Sequence, residues 1–124
     1  MLQLRSMLSV ADNSGAKKLM LVGIPLNGNR AIAYLGEIIT GVVKQADPFG
    51  QVKSGEIVWA VIVRTRKERR RKDGSYIRFD ENACVVLAGK ETKDPKGTRI
   101  FGPIAKEVKD KGFSKVASVA EELY

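Results

Sequence analysis

The feature that most constrains the fold is an abrupt change of polarity after Val63. The residues from Ile57 to Val63, IVWAVIV, are all apolar, and a strand with apolar side chains of both parities is buried on both faces. Seven of the nine residues from Arg64 to Lys72 are basic, so they have to leave that interior. Asp73-Gly74 is a turn signal, and YIRFD returns from it. The pattern predicts a basic β-ribbon over residues 64–80 that begins in the core and projects outward.

Further strand patterns surround this segment, and turn signals separate them. The alternation Leu4, Ser6, Leu8, Val10 predicts a first strand, and ADNSG predicts the turn after it. The remaining strand patterns are KKLMLVGIP, stopped by Pro25; GEIITGVVKQA, broken by DPFG; KSGEIVWAVIVRTRK, the longest; and NACVVLAG. Five short strands leave exposed edges unless the sheet closes, so we predict a small five-stranded barrel.

The spacing of apolar residues changes from a strand-like to a helix-like period in the C-terminal part, residues 103–124. In PIAKEVKDKGF, apolar residues recur four apart, Pro103 is suited to a first helical turn and Gly112 to a helix end. In SKVASVAEELY, Ser114 is a possible cap, and apolar residues follow at i, i+3, i+4 and i+7, namely Val116, Val119, Ala120 and Leu123. The predicted fold is therefore mainly β: one domain over residues 1–124, with a closed five-stranded barrel, a projecting basic ribbon and two short C-terminal helices.

The composition argues against catalysis. The chain has no histidine, the commonest general base and metal ligand, and its one cysteine excludes a cysteine-rich zinc site. Cys84 lies in the apolar run NACVVL, which predicts a buried side chain rather than a reactive thiol. In AGKETKD the upstream glycine of a phosphate loop is missing, and Glu91 follows Lys90. We expect no enzyme activity, no cofactor and no metal.

The distribution of charge predicts an anionic partner. The net charge is +8, and residues 64–78 hold eight basic and two acidic residues, which is +6 of that excess. Nucleic acid is the commonest partner of so concentrated a positive charge, although a solvated basic face and a nuclear address in RKERRRK are alternatives. Strand patterns flank RKERRRK, which disfavours the address. A further hypothesis is that single-stranded RNA stacks on exposed aromatic rings, for which the candidates are Tyr34, Phe49, Tyr76 and Phe79.

No stretch reaches the roughly 18 apolar residues of a membrane span. The N-terminus MLQLRSMLSV has no long apolar region, and the folding pattern begins near Leu4, which leaves no room for a presequence. We expect a cytosolic protein that does not contact a membrane.

Four stretches resemble the bacterial-type family fourteen of large-ribosomal-subunit proteins. They are VADNSGAKKLM, GEIITGVVKQA, GEIVWAVIVRTRKERRRKDGSYIRFDENACVV and GTRIFGPIAKEV. The third is the most specific: three aliphatic residues follow Ala60, nine residues separate them from Asp73-Gly74, and Phe79, Asn82, Val85 and Val86 come next. The resemblance covers nearly the whole chain.

This resemblance implies a structural constituent of the large ribosomal subunit with a five-stranded barrel and a projecting ribbon. Similar proteins bind large-subunit ribosomal RNA, pack beside large-subunit protein nineteen and contact small-subunit ribosomal RNA at an intersubunit bridge. In bacteria and organelles they also dock the ribosome-silencing factor. The expected location is the ribosome of the cytoplasm, with a plastid ribosome the less favoured alternative.

The candidate site residues divide into two groups. The candidate RNA contacts are Lys17, Lys18, Arg30, Lys44, Lys53, Arg64, Arg66, Lys67, Arg69, Arg70, Arg71, Lys72 and Arg78. The resemblance further implies a partner-binding face with Thr98 and Arg99 of GTR, near Lys115 and Ser118, although GTR also reads as an ordinary turn.

Two departures from the family pattern have consequences. NRAIAYLGE keeps Arg30 but displaces Tyr34 from the usual Arg-Arg-Tyr run, so one RNA contact is expected to be moved or missing. SVAEELY lacks the proline common in the last turn of relatives, so the C-terminal helix is expected to run further, which bears on the contacts near Ser118.

Overall fold

The computed structural model describes residues 2–25, 32–89 and 92–124. Its elements, in chain order, are β1 (Leu2–Gln3), β2 (Met7–Val10), β3 (Ala16–Gly23), β4 (Ile32–Ala33), β5 (Ile38–Ala46), β6 (Ile57–Arg64), β7 (Arg69–Arg70), β8 (Tyr76–Ile77), β9 (Ala83–Val86), β10 (Ile100–Ile104), α1 (Lys106–Asp110), α2 (Ser114–Val119) and β11 (Ala120–Leu123). Among these residues, no helix is long and apolar enough to cross a membrane.

Strands β2, β3, β5, β6 and β9 form a closed barrel in that order, as predicted. Neighbouring strands are antiparallel except β2 and β9, which close the barrel as a parallel pair. The prediction that the fourth strand is the longest is wrong, because β5 has nine residues and β6 has eight. Strand β6 ends at Arg64, where the chain leaves the sheet.

The first barrel strand begins later than its alternating pattern predicts. The backbone at Arg5 is left-handed, with a φ of +71°, so the chain bends there and the barrel strand begins at Met7. The residues before the bend form β1, which pairs with β4 outside the barrel, a pair that sequence patterning did not reveal. Strand β3 ends at Gly23, shortly before Pro25, as predicted.

Strand β6 is buried on both faces along its second half. Ala60, Val61, Ile62 and Val63 are completely inaccessible to solvent, which confirms the prediction for this end of the strand. Ala60 and Ile62 point into the barrel, whereas Val61 and Val63 belong to a second hydrophobic cluster on the outside of the barrel. The prediction fails at the other end, where Ile57 is 67% exposed because neither cluster extends that far.

The second cluster is covered by the C-terminal part of the chain. Its buried members there are Ile100 and Ile104 of β10, Val108 of α1, Phe113, and Val116 of α2. The two short helices are present as predicted, and Gly112, with a φ of +98°, follows the end of α1 as predicted. The C-terminal part therefore supplies apolar side chains that the outer face of β6 requires.

The predicted helix boundaries in this part are wrong at three places. Pro103 does not begin a helix but lies in β10, where its fixed φ is compatible with an extended backbone. Ser114 is the first residue of α2, and the capping position is Phe113, which makes no side-chain capping bond. The helix also does not run further: it ends at Val119, and β11 pairs in parallel with β10, so Leu123 lies beside Ile104.

The predicted Asp73-Gly74 turn is present, but the paired part of the ribbon is short. Only Arg69 with Ile77 and Arg70 with Tyr76 form a ladder, β7 with β8. Gly74 has a φ of +89°, and its N–H donates to the carbonyl of Arg71, as a tight turn requires. We call residues 64–80 the basic hairpin from here on.

Candidate nucleic-acid interface

Arg64, at the root of the basic hairpin, is buried rather than presented to a partner. It is only 7% exposed, its Nη1 donates to the carbonyls of Phe101 (3.0 Å) and Pro103 (2.9 Å), and its Nη2 donates to Glu81 Oε1 (3.0 Å). A Cβ on Gly102 would lie 2.6 Å from Arg64 Nη1, so glycine is required there for this contact. Arg64 therefore links β6 to β10, and its placement does not support the predicted phosphate contact.

The exposed cations of the hairpin are a different subset of the predicted residues. Their side chains are open to solvent, and they are Arg66, Lys67, Arg70, Lys72 and Arg78. Lys67 pairs with the exposed Glu68 at 3.1 Å, an interaction that water and salt weaken.

Two backbone contacts fix the base of the hairpin. Arg66 N donates to Asn82 Oδ1 at 2.9 Å, and Phe79 N donates to the carbonyl of Thr65 at 2.9 Å. The hairpin therefore presents its exposed cations from an anchored base.

Arg69 and Arg71 are directed towards helix α1. Arg71 Nη2 donates to Glu107 Oε1 at 2.9 Å and also to the main-chain oxygen of Tyr124, and Arg69 Nε lies 3.5 Å from Glu107 Oε2. Sequence reasoning missed Glu107, which is 36 residues from Arg71 along the chain. The available signal was an acidic residue at the start of a predicted helix, and that signal alone does not identify its partner.

The predicted lysines on the barrel are all exposed: Lys17, Lys18, Lys44 and Lys53. Lys17 and Lys18 are consecutive in β3, and both reach solvent because the pairing of β3 with β5 shifts register at Lys18. Lys18 and Arg66 line the same cavity of about 280 Å³, so the structure brings a barrel lysine beside the hairpin. Arg30 lies outside the described residues.

The segment with Thr98 and Arg99 is a turn, but one held by a specific side chain. Asn13 Oδ1 accepts from Thr98 N (2.8 Å) and Arg99 N (3.1 Å), and Asn13 Nδ2 donates to Thr98 Oγ1 (2.9 Å). A Cβ on Gly97 would lie 2.6 Å from Asn13 Oδ1, which explains the glycine. The Arg99 guanidinium carbon is 5.7 Å from the centroid of the Phe101 ring. The side chains of Thr98 and Arg99 remain exposed.

Lys115 and Ser118, the other two predicted partner-binding residues, lie on α2. Lys115 forms a 3.2 Å ion pair with Asp94, and Ser118 Oγ donates to the carbonyl of Lys115. Because Ile100 pairs with Ala120, the segment that follows Arg99 lies beside the segment that follows Ser118. We call Thr98, Arg99, Lys115 and Ser118 the partner face.

The candidate aromatic residues separate into exposed and half-buried ones. Phe49 is 97% exposed and Tyr76 is 64% exposed, whereas Tyr34 and Phe79 are half-buried, with Phe79 packed against the barrel core. Phe49 lies in the DPFG turn, where its N–H donates to Asp47 Oδ1 at 3.2 Å. The ring is thus presented by a defined turn.

Two buried groups near the barrel strands are structural. Asp12 Oδ1 accepts from the N–H and hydroxyl of Ser14, and its Oδ2 accepts from Val86 N at 2.9 Å; burial nevertheless raises the pKa of its carboxyl. Cys84 is completely buried, as predicted, and this burial raises the pKa of its thiol.

A small closed barrel with a dense cluster of exposed cations at one hairpin is typical of proteins that bind nucleic acid. The family model described as Ribosomal protein L14p/L23e matches residues 1–124. The chain is also similar to the large ribosomal subunit protein uL14 of Aquifex aeolicus (strain VF5), with 54% identity over 123 residues that cover 99% of each chain. The chain belongs to the Ribosomal protein L14p/L23e family.

Family membership confirms the resemblance seen in the sequence. The protein is a structural constituent of the large ribosomal subunit, takes part in translation and is not an enzyme.

The contrast between Arg64 and Arg66 gives a first prediction. Arg64→Ala removes hydrogen bonds to two carbonyls and a carboxylate, so we expect it to lower the free energy of unfolding by about 3 kcal/mol or more. Arg66→Ala removes only an exposed side chain, and we expect a change within about 0.5 kcal/mol. Urea unfolding followed by Trp59 fluorescence measures both values. Equal stability of the two variants would contradict the structural role of Arg64.

Proposed function

We propose that the protein binds large-subunit ribosomal RNA through the exposed cations of the basic hairpin, with the exposed lysines of the barrel as further contacts. The observation that carries this proposal is the anchored hairpin with five exposed basic side chains. Lys18 supports it because this residue lines one cavity together with Arg66. The expected location is the ribosome of the bacterial cytoplasm.

The mechanism is electrostatic and geometric. RNA segments repel each other through their phosphates, and cations placed between them reduce the free energy needed to pack them together. Arginine is effective here because its planar guanidinium can donate two parallel hydrogen bonds to one phosphate. Phosphate contacts position a protein without reading bases, so recognition depends on the shape of the folded RNA.

The number of phosphate contacts predicts the response to salt. Five contacts correspond to a slope of log K against log salt of about −3.5 on single strands and about −4.5 on duplex. We expect the triple variant Arg66→Ala, Arg70→Ala, Lys72→Ala to reduce the size of this slope by about 2 to 3 units while the barrel stays folded. The measurement is binding to deproteinised large-subunit ribosomal RNA across a KCl series.

A triple variant of equal charge is the control for this experiment. Arg99→Ala, Lys109→Ala, Lys115→Ala removes three cations outside the hairpin, and we expect a clearly smaller change in slope. If both triples weaken binding equally, net charge rather than the hairpin governs the interaction. A wild-type protein whose binding does not depend on salt would also contradict the proposal.

A second mode of RNA contact, base stacking, is supported by the exposure of Phe49. An aromatic ring that is almost completely solvated and held by a turn can stack on an unpaired base. Lys44 and Lys53 are exposed on either side of this turn in the sequence and are available for the adjoining phosphates.

Stacking can be tested with an introduced fluorophore. We expect Phe49→Trp to add fluorescence that single-stranded RNA of about ten nucleotides quenches, because stacking brings the indole against a base. Phe101→Trp, at a ring that is 44% exposed beside Arg99 compared with 97% for Phe49, is the control, and we expect much weaker quenching. Equal quenching in both variants, measured against the Trp59 background, would exclude a specific role for Phe49.

For protein partners, we propose that the partner face docks the ribosome-silencing factor. Its support is the family membership, the exposure of Thr98 and Arg99, and the way Asn13 holds their backbone in place. We also propose contacts with large-subunit protein nineteen and, at an intersubunit bridge, with small-subunit ribosomal RNA. Cross-linking of large subunits and of whole ribosomes tests these two contacts.

The partner face generates a charge-reversal prediction. We expect Arg99→Glu to weaken binding of purified silencing factor by about tenfold or more, since a reversed charge at a docked face is repelled by the complementary group. Calorimetric titration measures the affinity, and Arg66→Glu is the matched reversal on the hairpin, where no effect is expected. If the hairpin variant alone weakens binding, the docking site lies elsewhere.

A further inference from the structure

A groove separates the basic hairpin from helix α1, and its charges are unevenly balanced. It has a volume of about 600 Å³ and is lined by six basic and three acidic residues: Arg69, Arg70, Arg71, Lys72, Lys106 and Lys111, with Asp73, Glu107 and Asp110. The excess of three positive charges makes the groove suited to an anion. Glu107 already provides one anionic group inside it.

Glu107 occupies the position of an anionic ligand between two guanidinium groups. Its side chain is 12% exposed, Oε1 accepts from Arg71 Nη2 at 2.9 Å, and Oε2 lies 3.5 Å from Arg69 Nε. The same Arg71 nitrogen also donates to the main-chain oxygen of Tyr124. The two arginines that point into the groove are thus directed towards groups of the protein itself.

The hydrogen bonding of this arrangement is incomplete. Within the described part of the chain, Arg71 Nε and Glu107 Oε2 are both buried and have no hydrogen-bond partner. An unpaired buried donor beside an unpaired buried acceptor reduces the stability of the contact between the two arginines and Glu107. A ligand that satisfies the donors of Arg69 and Arg71 can therefore compete with Glu107, whose carboxylate would keep Lys106 and Lys111 in the same groove.

The hairpin does not depend on Glu107 for its own conformation. Arg71 N donates to the carbonyl of Ser75 at 2.7 Å, Asp73 Oδ1 accepts from the N–H and hydroxyl of Ser75, and Phe79 N donates to Thr65 at the root. These contacts lie entirely within the hairpin. Loss of the Glu107 carboxylate should consequently free the two arginine side chains without unfolding the turn.

We propose that Glu107 is an internal competitor of RNA phosphate for Arg69 and Arg71. In the free protein the carboxylate pairs with both guanidinium groups, so the hairpin offers fewer cations than its sequence contains. When RNA binds, a phosphate replaces the carboxylate, and the hairpin loses its contacts with α1 and Tyr124. This inference rests on the proposed RNA binding and adds how access to part of that surface is regulated.

The test is Glu107→Gln, which keeps the size of the side chain and one acceptor but removes the charge. With deproteinised large-subunit ribosomal RNA as the probe, we expect about tenfold tighter binding at 0.1 M salt, because no carboxylate has to be displaced from the arginines. The slope of log K against log salt should stay close to that of the wild type, since the number of phosphate contacts in the complex is the same. Asp110→Asn is the matched control, since Asp110 lines the same groove on the same helix, and among the described residues no ion pair joins it to a hairpin arginine. We expect it to have a much smaller effect.

The same substitution in a variant without the two arginines tests whether Arg69 and Arg71 are the side chains that Glu107→Gln releases. In a protein that carries Arg69→Ala and Arg71→Ala, Glu107→Gln should no longer tighten binding, because no guanidinium remains to be freed. Amide exchange over residues 64–78 without RNA should be the same in wild type and Glu107→Gln, as the backbone contacts within the hairpin predict.

Several results would overturn the inference. Weaker binding by Glu107→Gln, with faster amide exchange in the hairpin, would mean that the carboxylate positions the hairpin instead of competing with RNA. A gain equal to that of Asp110→Asn, or a gain that persists without Arg69 and Arg71, would reduce the effect to general charge. Failure of RNA binding itself is distinguishable, because then the wild-type protein shows no salt-dependent binding.

Discussion

The structure depends on the burial of strand β6 on both of its faces. One face contributes Ala60 and Ile62 to the barrel interior, and the other presents Val61 and Val63 outside it. Two fully buried valines contribute about 3 to 6 kcal/mol to stability, so the outer face needs a cover. Strand β10 and the two helices provide it, with Ile104 and Val116 in the same cluster. The C-terminal part is therefore integral to the core, and the Arg64 side chain adds hydrogen bonds between β6 and β10.

The same strand also determines where the charged surface lies. Immediately beyond the buried residues the chain leaves the barrel, turns at Asp73-Gly74 and returns at Phe79, whose N–H bonds to Thr65. The hairpin is consequently anchored at its root by a packed strand. Its mutual charge repulsion is moderated within the protein by Glu107 and, as we propose, by RNA when the protein is bound.

The location of the candidate site was predictable from the sequence, but the role of each of its basic residues was not. The charge pattern identified the hairpin, and the exposure of Arg66, Arg70 and Lys72 agrees with that interpretation. The same pattern could not distinguish Arg64, because charge alone does not reveal that a guanidinium donates to the carbonyls of a distant strand. Position offered a clue, since Arg64 directly follows the apolar run that ends at Val63.

The sequence by itself determined the local structure: the barrel strands, the Asp73-Gly74 turn and the presence of two short helices, because hydrophobic period and turn chemistry act over a few residues. Only the tertiary structure decided where the chain's C-terminal elements end and which charges are paired. Pro103 is suited to a first helical turn and Leu123 follows helical spacing, yet both lie in a parallel strand pair that packs beside β6, where hydrogen bonds between strands replace those of a helix. Likewise, Glu107 accepts a hydrogen bond from Arg71, although the two residues are 36 positions apart in the sequence. Such contacts depend on how the whole chain closes, which local patterning does not specify.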